Sequence, residues 1–129
     1  MGALDGRKIG FIGLGLMGKL MARNLHAAGA SMIVTSRSPG PAEELAGEGM
    51  TAVATAREVV AASEITVLMV TDTSAVDAVL HGENGAIAGL SPDKTLIDMS
   101  TTKVRETRAW GAEVMALGAH YVDAPVSGG

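Results

Sequence analysis

Apolar and polar positions along the chain alternate between two periods. Lys8-Ile9-Gly10-Phe11-Ile12 is a short apolar run that ends in the glycine cluster Gly13, Gly15 and Gly18. Met17, Leu20, Met21, Leu25 and Ala28 then recur at helical spacing, and Gly29 supplies the stop. The pattern predicts a strand, a tight turn and an amphipathic helix. Ser31-Met32-Ile33-Val34-Thr35 reads as a second strand, broken by Ser38-Pro39-Gly40-Pro41 before a short helix over residues 42–47. Residues 50–53 form a weaker strand. Thr55, with Glu58 three residues on, makes a capping box that opens a helix to Ala62.

The second half repeats the alternation. Ile65-Thr66-Val67-Leu68-Met69-Val70 is a continuous apolar run of the kind buried on both faces of a sheet. A helix is expected over 73–80, a Gly-rich connection over 81–90, and another buried strand over 95–99. Residues 102–117 read as helix, Gly118 ends it, and residues 120–123 begin a last strand. Strands separated by helices require a parallel sheet with right-handed crossovers. The predicted class is therefore α/β: a Rossmann-type, doubly wound, mainly parallel sheet with helices on both faces.

Composition narrows the field. The 129 residues suit one domain, and 47% apolar content with 19% charge is that of a packed globule. No apolar run reaches the ~18 residues of a membrane span. Residues 1–8 lack a signal-peptide pattern, and Gly6 stands where myristoylation wants Ser or Thr. Without cysteine there is no disulfide framework, which fits a cytoplasmic protein. A net charge of -4 argues against a general nucleic-acid binder. Yet from Gly6 to Ala42 the chain carries Arg7, Lys8, Lys19, Arg23 and Arg37 and no acid, which points to a bound anion.

Gly13-Leu14-Gly15-Leu16-Met17-Gly18 gives that anion a place. A GxGxxG between a strand and an amphipathic helix is a dinucleotide turn: one glycine for the bend, one for close approach of the pyrophosphate, one for helix–sheet packing. Free N–H groups and the dipole at the helix start favour the anion. A rival motif overlaps it, because Gly13 to Lys19 also satisfies GxxxxGK and Leu96-Ile97-Asp98 could serve as an acidic strand end. A P-loop needs Ser or Thr after the lysine; here Leu20 follows, a residue the apolar stripe of the helix explains. P-loop nucleotide binding is the remote alternative.

The second strand ends in Thr35-Ser36-Arg37-Ser38, where an NAD site would carry an acid for the ribose 2′-hydroxyl. The next acid is Glu43. Arg37 can pair with a 2′-phosphate, and Ser36 and Ser38 can hydrogen-bond to it, so NADP is expected over NAD. The missing acid counts equally against an S-adenosylmethionine methyltransferase.

These residues resemble a known family. Gly10 to Gly18 followed by Met21-Ala22-Arg23-Asn24-Leu25 is similar to the opening of the β-hydroxyacid dehydrogenases. That family includes 3-hydroxyisobutyrate dehydrogenase, tartronate semialdehyde reductase and the glyoxylate/succinic semialdehyde reductases. Gly82-Glu83-Asn84-Gly85, Leu96-Ile97-Asp98-Met99-Ser100-Thr101 and Asp123-Ala124-Pro125-Val126-Ser127-Gly128-Gly129 extend the likeness over essentially the whole chain. It departs at Lys19-Leu20, where many members carry a proline near the second position.

The resemblance implies roles. Met69, Val70 and Thr71 would meet the ribose and nicotinamide side of the cofactor, and Thr101 would bond near the nicotinamide. Ser127, Gly128 and Gly129 would hold a substrate carboxylate with a hydroxyl and backbone N–H groups. The whole chain would be the NAD(P)-binding domain, with the family's all-helical C-terminal domain absent. The full enzyme would transfer a hydride between NADP(H) and a small 3-hydroxy acid or its semialdehyde, with a homo-oligomer open for the full-length protein. The family's catalytic lysine, on a helix beyond the Asp123–Gly129 motif, has no counterpart here, so the chain alone is expected to be inactive. Lys94 sits in a turn and Lys103 on a solvent-facing helix, and His26, His81 and His120 show no partnered carboxylate. The alternative is a non-catalytic NADP-binding module complete at this length.

Overall fold

The computed structural model describes residues 2–70, 73–100 and 104–124. Six strands, β1 (Lys8–Ile12), β2 (Ser31–Thr35), β3 (Thr51–Ala52), β4 (Ile65–Leu68), β5 (Thr95–Asp98) and β6 (His120–Asp123), form one sheet in the order β3-β2-β1-β4-β5-β6. Every pairing is parallel. The helices are α1 (Leu16–Ala27), α2 (Pro39–Ala46), α3 (Ala56–Ala62), α4 (Thr73–Leu80) and α5 (Val104–Ala116), with a 3₁₀ turn at Ile87–Gly89. The doubly wound α/β class expected from the alternation is the one the chain adopts.

Strand side chains divide between two cores, as alternate residues of a strand face opposite sides. Ile9, Phe11, Met32, Val34 and Val67 face the side closed by α1 and α2, with Ala22 and Leu45. Ile12, Ile33, Leu68 and Leu96 face the other side, packed with Val59 and Val60 of α3, Val76 and Leu80 of α4, and Trp110 and Val114 of α5. Phe11, Val34, Leu68 and Leu96 are fully buried. No helix among the described residues is long and apolar enough to cross a membrane.

Several sequence expectations change. Helix α2 begins at Pro39, not after Pro41, with Ser38 in the N-cap position. Proline fits there because the first N–H groups of a helix have no intrahelical acceptor to lose. Strand β4 ends at Leu68, so Met69 and Val70 lie beyond the ladder. Leu20 is 52% exposed and its neighbours Leu16 and Met17 are 78% and 51% exposed, so packing does not explain Leu20; the buried stripe of α1 runs through Gly18 and Ala22.

The basic cluster also resolves differently. Arg7 pairs with Glu64 at 3.2 Å, Lys19 with Glu44 at 3.4 Å, and Arg23 with Glu44 and with Glu48 at 2.7 Å. Three of the five cations of the acid-free stretch thus answer acids supplied from later in the chain. Lys19 and Arg23 tie α1 to α2; the Arg23 guanidinium holds the carboxyls of Glu44 and Glu48 below the usual range. Lys94 is occupied as well, donating to the carbonyls of Ala61 at 3.1 Å and Ser63 at 2.6 Å, where it caps the end of α3.

His81 is partnered, contrary to expectation. Its Nε2 lies 2.8 Å from Glu113 Oε2 on α5, and its Nδ1 lies 3.0 Å from the Asp77 carboxylate on α4. Trp110 Nε1 donates to the same Asp77 at 3.2 Å. Burial is the largest single influence and lowers the His81 pKa, but the bonds to Glu113 and Asp77 together outweigh it and raise it. A raised folded pKa means that the stabilisation is full below the ordinary histidine value and fades as pH climbs through the folded one. The Tm advantage of the parent over His81→Gln should therefore be larger at about pH 5.5 than at about pH 8.5. Equal advantages at both pH values would show that the α4–α5 link does not depend on charge.

Candidate functional site

The last hydrogen-bonded row of the sheet runs Thr35, Ile12, Leu68, Asp98, Asp123 across β2, β1, β4, β5 and β6. Because all strands are parallel, the segments that follow this row emerge along one edge. They are the glycine turn, Ser36–Ser38, Met69–Val70 and the stretch after Asp98. Between β1 and β4 the winding reverses direction, and α1 and α3 to α5 leave on opposite faces. Such a switch point opens a crevice beyond the strand ends.

The glycine turn is locked by its own backbone. Gly13 has φ of +100°, and a Cβ there would lie 1.9 Å from the Met69 carbonyl oxygen. A Cβ on Gly18 would lie 2.2 Å from the Gly13 carbonyl oxygen. The fold itself demands both glycines. Gly15 is different. It caps α1 in extended backbone (φ −68°, ψ −175°) that any residue adopts, and a Cβ there meets nothing within 4 Å. Internal packing does not require the small residue at 15, and the space beside its backbone is open. Lys19 N–H makes the first bond of the helix to the Gly15 carbonyl, and no side-chain hydrogen bond caps the start. The open N–H groups and the dipole there suit an anion.

A groove of about 710 Å³ runs along the edge, lined by Gly13 to Gly15, Met17, Gly18, Thr35 to Ser38, Met69 and Val70. It brings together most of the residues singled out from sequence: Gly13, Leu14, Gly15, Met17, Gly18, Ser36, Arg37, Ser38, Met69 and Val70. Leu16 stands outside the lining, its side chain in solvent. Thr71, Thr101, Ser127, Gly128 and Gly129 lie outside the described residues. Sequence reasoning missed Ala75, Ala78 and Val79 of α4, which add to the walls with Pro41 of α2 and with Ala54 and Ala56 around the start of α3. The alanines at spacing three on α4 were the available signal.

At the β2 end, a second pocket of about 350 Å³ adjoins the groove and is lined by Ser36, Arg37 and Glu43 among others. Unlike Arg7, Lys19 and Arg23, Arg37 makes no ion pair among the described residues. Ser36 is partly committed: its hydroxyl donates to the Ser38 carbonyl and accepts from Ala42 N–H at 3.1 Å, which shapes the loop. No group of three or more candidate metal ligands occurs among the described residues.

A strand-order reversal, a glycine turn feeding an uncapped helix and a groove across the switch point together define an NAD(P)-binding domain. Over residues 8–129 the chain matches the NAD binding domain of 6-phosphogluconate dehydrogenase, and it belongs to that family. It is 48% identical to the 2-hydroxy-3-oxopropionate reductase of Escherichia coli (strain K12) over 95% of this chain and 41% of that protein. Among solved structures it is similar to Mycobacterium tuberculosis 3-hydroxyisobutyrate dehydrogenase with L-serine (32% identity, TM-score 0.85, 95% of this chain and 41% of that one). It is also similar to Psf3 in complex with NADP+ and 2-OPP (30% identity, TM-score 0.87, 94% and 43%). The chain spans about two fifths of the length of these relatives. Relatives of the kind named by the motif resemblance are thus among those it matches.

The glycines can be separated by experiment. Gly13→Ala and Gly18→Ala should each destabilise the fold by on the order of 3 kcal/mol, because backbone must move or strain. Gly15→Ala should cost less than about 1 kcal/mol yet weaken dinucleotide binding at least about tenfold. Denaturant midpoints together with NADPH titration check this, and unchanged binding by Gly15→Ala would refute the role given to that position.

Proposed function

We propose that this chain forms the NADP(H)-binding domain of an oxidoreductase acting on a small 3-hydroxy acid or its semialdehyde. The observation that carries the reading is the groove itself. It leads from an uncapped helix start at Gly15, open to a ligand, to Arg37, a cation with no ion-pair partner among the described residues. In this reading the backbone N–H groups at the start of α1 bind the pyrophosphate. Arg37 and Ser38 hold the 2′-phosphate, and Ser36 shapes the loop that presents them. Met69 and Val70, with Thr71 and Thr101, form the wall on the nicotinamide side. Ser127, Gly128 and Gly129 hold the substrate carboxylate through a hydroxyl and N–H groups. The bound dinucleotide supplies the hydride chemistry, while these residues fix its position and orientation.

NADP is favoured over NAD because the loop after β2 offers a cation and hydroxyls where an acid would repel a phosphate. A charge-assisted bond of ~1.5–3 kcal/mol corresponds to a preference of about tenfold or more for NADPH over NADH. Fluorescence titration should show that preference, and Arg37→Ala should erase most of it while leaving NADH binding nearly unchanged. Equal affinity of the parent chain for both nucleotides would remove the NADP assignment. Among these residues the resemblance assigns no proton-transfer group, so the 129-residue chain should bind cofactor without steady turnover of 3-hydroxy acids. Sustained NADPH production would contradict that division of labour.

A further inference from the structure

Asp98 ends β5 with no exposed surface at all. A carboxylate there is costly unless its oxygens are hydrogen-bonded. The Tyr121 hydroxyl from β6 donates to Oδ2 at 2.6 Å, and Ser100 N–H donates to Oδ1 at 2.9 Å. Ser100, itself 2% exposed, passes the connection on: its Oγ accepts from Val70 N–H at 2.9 Å. A polar chain thus runs from β6 through the end of β5 to the segment after β4.

That segment needs it. The β4–β5 pairing ends at Leu68 and Asp98, and the last rung is Met99 N–H to the Leu68 carbonyl at 2.8 Å. Met69 N–H is taken by the Ile12 carbonyl at 2.9 Å. Val70 N–H, one residue further, meets a serine hydroxyl in place of a strand partner. Met69 and Val70 then line the groove, and the Met69 carbonyl backs Gly13.

We propose that Asp98 and Ser100 are positioning residues for the dinucleotide. Asp98, steadied by Tyr121, orients Ser100, whose hydroxyl sets the place of Met69–Val70 as the nicotinamide-side wall of the groove. The inference rests on the cofactor reading above and adds residues that need not touch the ligand. The adenosine end, bound at 36–38, lies on the other side of β1 and is independent of the relay.

The test uses the 129-residue chain and two probes, NADPH and adenosine 2′,5′-bisphosphate, which has the adenosine end alone. Ser100→Ala should weaken NADPH about tenfold, as loss of one ordering hydrogen bond does, and leave the bisphosphate within about twofold. Ser100→Thr, which keeps the hydroxyl, should restore NADPH binding to within about threefold of the parent. Tyr121→Phe should give the same NADPH-selective loss, and it reads the relay independently should Ser100→Ala fail to fold. Equal loss for both probes would reduce the relay to general stability, and no loss for either would end the proposal. If the parent chain bound neither probe, the cofactor reading would fall, and this inference with it.

Discussion

A side-chain carbon at Gly13 has nowhere to go, and the geometry of the whole edge follows from that. The Met69 carbonyl fills the space from one side, and the Gly13 carbonyl in turn fills the space beside Gly18. β1 must therefore turn sharply at its end, and α1 must start directly over the sheet. The helix begins at the switch point with its N–H groups facing the groove, a consequence of close packing between three pieces of backbone. Gly10 extends the same logic to the other face, where a Cβ would meet Val59 Cγ1 at 2.4 Å and so α3 can lie against β1.

Parallel pairing then multiplies the effect of one well-placed turn. Since Thr35, Ile12, Leu68, Asp98 and Asp123 share a row, each following segment enters the same edge without any special guidance. What remains is to hold these segments at the right height. The chain does so with polar contacts, some between distant residues (Lys19 and Arg23 with the acids of α2, Ser100 with Val70) and some local, as of Ser36 within its loop. The exposed ion pairs among them contribute little individually, as such pairs do in water. The buried ones contribute more because an unpartnered group there is expensive.

The fold was legible because its signals are local. Period and glycine spacing are read within a few residues, and they placed every strand and the turn. What escaped notice depends on partners far away in sequence. Arg23 is 25 residues from Glu48, His81 is 32 from Glu113, and Val70 is 30 from Ser100. An acid-free stretch looks like an anion site until the acids of α2 and Glu64 fold onto it. Of its five cations, Arg37 lines the groove at the end of β2. A single clue to the relay was available: Asp98 is an acid inside an apolar strand run, and such a residue needs partners.

Geometry, more than the apolar stripe of α1, separates this turn from a P-loop. Leu20 is exposed, so the demands of the core do not account for a leucine in the position after the lysine. Lys19 Nζ is turned to Glu44 on α2, where a P-loop lysine would reach the phosphates. Asp98, the candidate acid at a strand end, is fully buried and bonded to Tyr121 and Ser100, and burial with the Asp98 bond raises the Tyr121 pKa, so this donor stays protonated. An aspartate held in this way is built into the sheet edge and is not presented to a hydrated Mg²⁺. The two residues that mimic the motif in sequence are thereby assigned to holding α1 against α2 and β5 against β6.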